Sequence, residues 1–321
     1  MPGQIDSQFK LSIPVIDIAG YCNGDASKTQ EIATALRSAC QAPGFFQIVG
    51  HGVSSELRST LLSHLVTFFK LPPDAKKALH REKSPCLRGY ETIGEQQLES
   101  GFADQKEGFM IGPEFEEEQR FLQGPNQWPS EADVPGFRDA FMAYFQAIQG
   151  LSKQMFRLMA LSLSLDEKYF DEFVSSQDSI AMCRAHRYPP STPETLKKSR
   201  GIGAHTDFGA LTLLMQDEQG GLEVFHKPTE TWHPVQPIKD AFVVNIGDMM
   251  ERWTNNKYSS TMHRVISPVS TSDRFSVAFF NEGMLDQEVK CIPTCLGPDE
   301  KPLYEPINVE QHLRARYGNS Y

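Results

Sequence analysis

From about residue 179 the chain becomes a succession of short apolar runs broken by turn formers, and that spacing limits the fold more than any other feature. The runs cover residues 180–188, 209–216, 222–225, 241–246, 262–266 and 274–280. Pro189-Pro190, Gly220-Gly221, Asn255-Asn256 and Ser272-Asp273 separate them. Many short strands at such spacing predict a β-sandwich or barrel of the jelly-roll kind. The first half reads differently. Residues 27–40 place Ile32, Leu36 and Cys40 at helical spacing behind Ser27 as N-cap, and residues 54–70 form a second amphipathic helix ended by Leu71-Pro72-Pro73. Another helix starts at Pro73-Asp74, while residues 11–18 and 44–49 read as strands. Residues 83–133 have weak periodicity and predict loops and short strands, the kind of segment that sets specificity. Between residues 134 and 173 a stripe of Phe141, Phe145, Ile148, Met155, Leu158 and Leu161 predicts a helix packed on a sheet. The fold class expected is mixed α+β, a helical N-terminal half packed against a C-terminal jelly roll, with residues 1–321 as one cooperative unit.

The composition suits such a core. Of 321 residues, 40% are hydrophobic, 22% are charged and 21 are Phe. Net charge is −10, and Lys76-Lys77 and residues 197–200 are the longest basic runs, which argues against nucleic-acid binding. No stretch approaches the ~20 apolar residues of a membrane span. Residues 1–10 lack the layout of a signal peptide, and Asn319-Ser320-Tyr321 is no peroxisomal or retention signal, so a cytoplasmic enzyme is expected. The six cysteines form no Cys-x-x-Cys pair and are expected as free thiols. No repeat or segment marks an obligate protein partner.

His205-Thr206-Asp207 carries the chemistry. Alternate residues of a strand face one side, so this imidazole and carboxylate can point at one ion. His263, beyond three candidate strands, supplies a third ligand. Two His and one carboxylate leave positions open, which suits iron(II) binding a co-substrate and O₂ together. The same ligands would serve a zinc hydrolase, and the fold could also carry a catalytically silent sensor. Arg274-Phe275-Ser276 weighs against the hydrolase: on a strand, Arg274 and Ser276 share a face and offer a guanidinium fork and a hydroxyl to one carboxylate. A silent protein would be marked by loss of a ligand, and all three are present.

On these motifs the sequence resembles the isopenicillin N synthase-like group of iron(II)/2-oxoglutarate-dependent dioxygenases. The resemblance covers nearly the whole chain. Residues 13–17 and 44–53 match the group's opening segments, and Tyr188-Pro189-Pro190, His205-Thr206-Asp207, residues 245–248, residues 263–265 and Arg274-Phe275-Ser276 follow in its order. It implies an N-terminal region over residues 10–130 and a double-stranded β-helix core over residues 179–285. It further implies Fe(II) as cofactor with 2-oxoglutarate and O₂ as co-substrates, Arg274 and Ser276 on the distal carboxylate of 2-oxoglutarate, and Tyr188 helping to hold it. His51 falls in the structural N-terminal motif and is not counted as a ligand. Some members keep the Arg-x-Ser pair for a carboxylate on their own substrate, so a 2-oxoglutarate-independent iron oxidase is an alternative.

Alternation from Tyr188 turns His186 and Arg184 inward, and alternation from Arg274 and Ser276 turns Ala278 and Phe280 inward. With Met110, placed by the resemblance, these positions surround a small-molecule substrate. Arg184 with His186 would favour an acidic hydroxyl, an enolate or a carboxylate, and Phe280 a flat apolar wall. The bland reading of Arg184 is a brace paired with a carboxylate such as Glu282. Residues 245–248 are read as a strand end and a turn, with Asp248 tying down backbone amides. His226 and His233 belong to a hairpin loop, and Trp232 and Trp253 to packing. The substrate expected is a small molecule of specialised metabolism, with a pyrimidine-type nucleobase as the alternative.

Overall fold

The computed structural model describes residues 10–267 and 270–318, so the expectations drawn from residues 1–9 and 319–321 lie outside the described part. Strand β1 (Val15–Asp17) leads into helix α1 (Ala26–Gln41), strand β2 (Phe45–Val49) and helix α2 (Ser55–Phe69). Short strands β3 (Gly89–Glu91) and β4 (Glu107–Ile111) precede the long helix α3 (Phe137–Ser162). Asp25, not Ser27, caps α1: its carboxylate accepts from the Ser27 amide at 2.9 Å. Ser54 caps α2 through the Leu57 amide. The apolar stripe of α3 packs on α1, on α2 and on the sheet, where Phe145 meets Phe279 edge-on at 5.5 Å.

The second half supplies β5 (Ser179–Tyr188), β6 (Ile202–His205), β7 (Leu211–Gln216), β8 (Leu222–His226), β9 (Thr231–Pro234) and β10 (Phe242–Ile246). Helix α4 (Asp248–Trp253), strands β11 (His263–Val265) and β12 (Arg274–Met284), and helix α5 (Val309–Gly318) complete the main elements. An eight-stranded sheet runs in the order β1-β2-β10-β7-β12-β5-β4-β3, and a four-stranded sheet in the order β9-β8-β11-β6. The two sheets are the layers of a jelly roll, and each inner face contributes side chains to the space between them.

Several local expectations change. The strands expected within the first half, β1 to β4, extend the larger sheet at both of its edges. Strands β6 and β9 lie where the sequence shows no apolar run: β6 reads Ile-Gly-Ala-His and β9 Thr-Trp-His-Pro. His226 and His233 therefore sit on paired strands rather than in the hairpin loop. Gly247-Asp248 opens a helix, and the Asp248 carboxylate accepts from the side chains of Thr206, Ser260 and Arg316, not from backbone amides.

Candidate active site

Antiparallel pairing of β6 with β11 sets His205 opposite His263, and their rings lie 4.3 Å apart. Asp207 is two residues past His205 and already beyond the end of β6, so strand alternation does not place it. Its backbone carbonyl accepts from the Asp248 amide at 2.8 Å, which holds the turn against the start of α4. The side chain is held independently: Asn245 donates to Oδ2 at 2.7 Å, and Thr212 donates to the same oxygen. Oδ1 is thereby aimed at both imidazoles, 3.7 Å from each Nε2.

The histidine tautomers follow from their outer partners. Nδ1 of His205 lies 2.8 Å from the Gly203 carbonyl, and Nδ1 of His263 lies 3.1 Å from the Thr261 carbonyl. A carbonyl only accepts, so each Nδ1 carries the proton and each Nε2 lone pair faces Asp207. Burial and the neighbouring His263 hold His205 well below the usual imidazole range, despite Asp207. Burial pushes the Asp207 carboxyl up, but the two histidines and its two side-chain donors outweigh that and hold it below the usual range. Two imidazole nitrogens and one carboxylate oxygen, mutually within 4.8 Å, have the donor set and spacing of a divalent transition-metal site.

Along the cavity, β12 turns Arg274, Ser276, Ala278, Phe280 and Glu282 to one face. Pairing with β5 sets Arg274 level with Tyr188, and Ser276 level with His186. The Arg274 guanidinium stacks 4.6 Å from the centre of the Tyr188 ring. Its Nε donates to the Gly220 carbonyl and one terminal nitrogen to Gln216 at 3.3 Å. The other terminal nitrogen, Nη1, is buried without a partner, and Tyr188 and Ser276 bring two hydroxyls 3.4 Å apart beside it. An unpartnered guanidinium nitrogen and two hydroxyls thus share this part of the cavity, a donor set that could receive a carboxylate.

The chain matches two family models: "2OG-Fe(II) oxygenase superfamily" over residues 179–283, and "non-haem dioxygenase in morphine synthesis N-terminal" over residues 13–131. A "2-oxoglutarate-Fe(II) type oxidoreductase", hxnY of Emericella nidulans, is 39% identical over 317 residues, covering 96% of this chain and 90% of its own. This chain belongs to the 2OG-Fe(II) oxygenase superfamily. Clavatol oxidase of Penicillium crustosum is 34% identical, with 100% of this chain and 99% of that protein covered. Among solved structures, a full-length Neurospora crassa protein in complex with α-ketoglutarate superimposes with a TM-score of 0.88 at 30% identity, over 97% of either chain. The protein is an Fe(II)/2-oxoglutarate-dependent dioxygenase, with O₂ as the second co-substrate, that oxidises a small organic molecule.

The oxygenase's cavity is lined by every residue singled out from sequence as a substrate neighbour: Arg184, His186, Met110 and Phe280. Arg184 does not pair with Glu282. It is bonded to Glu91 of β3 and lies 3.4 Å from Gln96. His186 is buried with Nε2 unpartnered, and burial beside Lys106 and Arg184 holds it neutral. Glu282, Lys106 and Gln96 are among the cavity residues that were not placed there from sequence. Glu282 continues the inward row of β12, whose apolar run ends at Phe280 although the strand does not; burial, Asp207 and Asp248 push its carboxyl up to about 8. Lys106 precedes β4 two pairs back from Met110, a period-two signal present in the sequence. Gln96 comes from an irregular loop that no periodicity marks.

Proposed function

We propose that His205, Asp207 and His263 hold the Fe(II), and that Arg274, Ser276 and Tyr188 hold the distal carboxylate of 2-oxoglutarate. The observation that carries this is the buried, unpartnered Nη1 of Arg274 in the same cavity as the three metal-ready atoms. With iron, 2-oxoglutarate and O₂ bound, the site supplies a hydrogen-abstracting oxidant while 2-oxoglutarate becomes succinate and CO₂. The chain's own residues do the placing. Thr212 and Asn245 fix the Asp207 carboxylate, Gly203 and Thr261 fix the imidazoles, and Leu214, Leu222 and Val265 line the cavity with apolar surface that excludes water.

The substrate is a small molecule of specialised metabolism, lying against Arg184, His186, Met110 and Phe280. Similarity to clavatol oxidase supports this reading, because clavatol is a phenolic ketone and Arg184 beside Phe280 suits such a group. A second reading, oxidation of a pyrimidine-type nucleobase, rests on likeness to the Neurospora crassa protein, which was also solved with α-ketoglutarate and thymine and then superimposes with a TM-score of 0.87. Substrate-triggered O₂ consumption by the Fe(II)/2-oxoglutarate enzyme, with clavatol and thymine as separate probes, tests the two. Faster consumption with the phenolic ketone alone supports the first; thymine alone supports the second. For the carboxylate assignment, Arg274→Lys keeps the charge and loses the fork, so half-saturation by 2-oxoglutarate should rise by about tenfold or more. An unchanged requirement would remove Arg274 from that role.

A further inference from the structure

The wall of the cavity on the β4–β5 side is polar, and its charges are arranged in two layers. Lys106, Arg184 and Gln96 line the cavity itself, whereas Glu91 and Asp104 do not. Glu91 accepts from Lys106 at 3.3 Å and from Arg184, so one buried carboxylate holds both cations from behind. Gln96 Oε1 accepts from Lys106 at 2.9 Å. Behind them, Asp104 accepts from the Gly203 amide at 3.0 Å through Oδ1 and makes no hydrogen bond to Lys106, although its charge favours the charged form of that lysine. The row from Lys106 to Met110 has glycine at its centre for a reason: a Cβ on Gly108 would come within 3.0 Å of the Glu91 carboxylate and 3.4 Å of the His186 ring.

We propose that Lys106 is a specificity-determining residue of this oxygenase, acting with Arg184 to receive an acidic oxygen of the substrate, whether phenolate, enolate or carboxylate. The inference rests on the active-site reading above and narrows its substrate class. Three observations support it. Lys106 is fully buried yet faces the cavity, and it shares the single hydrogen-bonded carboxylate of Glu91 with Arg184, so the two cations together carry one more charge than that partner balances. The neighbouring His186 is held neutral and adds no positive charge of its own. Burial also brings Lys106 down to about 8, a group still charged at neutral pH whose charge an entering anion would stabilise.

The test uses the holoenzyme under anaerobic conditions with saturating 2-oxoglutarate. The visible charge-transfer band of the Fe(II)/2-oxoglutarate complex reports on ligands entering the cavity. Benzoate and salicylaldehyde are titrated beside their neutral counterparts, benzamide and the methyl ether of salicylaldehyde. The acidic member of each pair should bind more tightly by about tenfold or more. Lys106→Met should reduce that ratio to within about threefold, and Lys106→Arg should keep it above that level. The affinity for 2-oxoglutarate should be unchanged in both variants, which also shows that each is folded. Equal binding of acidic and neutral probes to the wild type would overturn the proposal, as would a ratio that survives in Lys106→Met. Failure of the charge-transfer band to form would instead count against the iron and 2-oxoglutarate assignment.

Discussion

The Asp207 carboxylate divides its two oxygens between two tasks. Oδ2 takes both side-chain donors, Asn245 and Thr212, and Oδ1 is left facing the imidazoles. Removing one donor lets the carboxylate rotate, and partners of this kind are worth about ten- to a hundredfold in metal affinity. Asn245→Ala should therefore weaken Fe(II) binding by about tenfold, read by anaerobic titration, with 2-oxoglutarate affinity at saturating iron little changed. If iron affinity stays at the wild-type value, Asn245 is only a packing residue. Asp104 gives a pH-dependent counterpart. Burial raises its carboxyl to about 6, against an ordinary value of 3.8. The folded state thus binds this proton more tightly than the unfolded chain does. The resulting stabilisation is fully present below the unfolded value and is lost as pH rises through about 6. Asp104→Asn removes the penalty and should stabilise the protein at about pH 8 by on the order of 2–3 kcal/mol, with little effect near pH 4. Urea unfolding at the two pH values checks this, and an equal effect at both would refute the titration argument.

Strand β12 does more than any other element to assemble the site, because its inward row runs from the carboxylate clamp at Arg274 to Glu282. Beyond Asn281 its pairing with β5 shifts register, and Gly283 takes a φ of +74° with the Phe173 ring directly over it. A Cβ there would lie 1.9 Å from two ring carbons. Gly283→Ala should cost on the order of 3 kcal/mol in urea unfolding, combining left-handed backbone strain with a displaced aromatic ring. A loss below 1 kcal/mol, roughly the backbone strain alone, would show that the ring moves easily. This strand also shows what could be read in advance. Arg274, Ser276, Ala278 and Phe280 follow from period-two alternation within an apolar run, as Arg184 and His186 do on β5. Glu282 was read only as a possible partner of Arg184 and not as the next member of the inward row, because a buried carboxylate looks like the end of a strand. Strand β6 was lost because Ile202-Gly203-Ala204-His205 is too short and too small to stand out, although it carries a metal-ready histidine. Alternation also gave an incomplete account of Asp207, which owes its place to the turn into α4 and to donors on β7 and β10, contacts distant in sequence.

At the scale of the whole molecule, the two ends of the chain take different parts in closing the cavity. Helices α1 and α2 pack on α3, and both α1 and α3 contact the larger sheet, whereas α5 comes from the C-terminal side to the cavity, which Tyr317 lines. Buried Val309 and Leu313 anchor α5, and His312 lies 2.7 Å from the Phe208 carbonyl. Arg316 reaches the site's own turn: it pairs with Asp248 at 2.6 Å, donates to Thr206 at 3.1 Å and lies 4.7 Å from the centre of the Phe208 ring. Thr206 sits between two of the proposed ligands, so the helix and the metal turn are mechanically joined. Arg316→Met keeps much of the stem's apolar contact and removes the charge together with the Nη2 contacts to Asp248 and Thr206. With Val309 and Leu313 still anchoring the helix, the fold should persist, with the urea midpoint falling only slightly. The mouth should open more often, admitting water while 2-oxoglutarate is consumed. The measurable consequence is uncoupling, with succinate formed per product molecule rising by about two- to fivefold. An unchanged succinate-to-product ratio would mean that Tyr317 and the buried anchors close the mouth alone, and that the Arg316 contacts serve only to join surface elements.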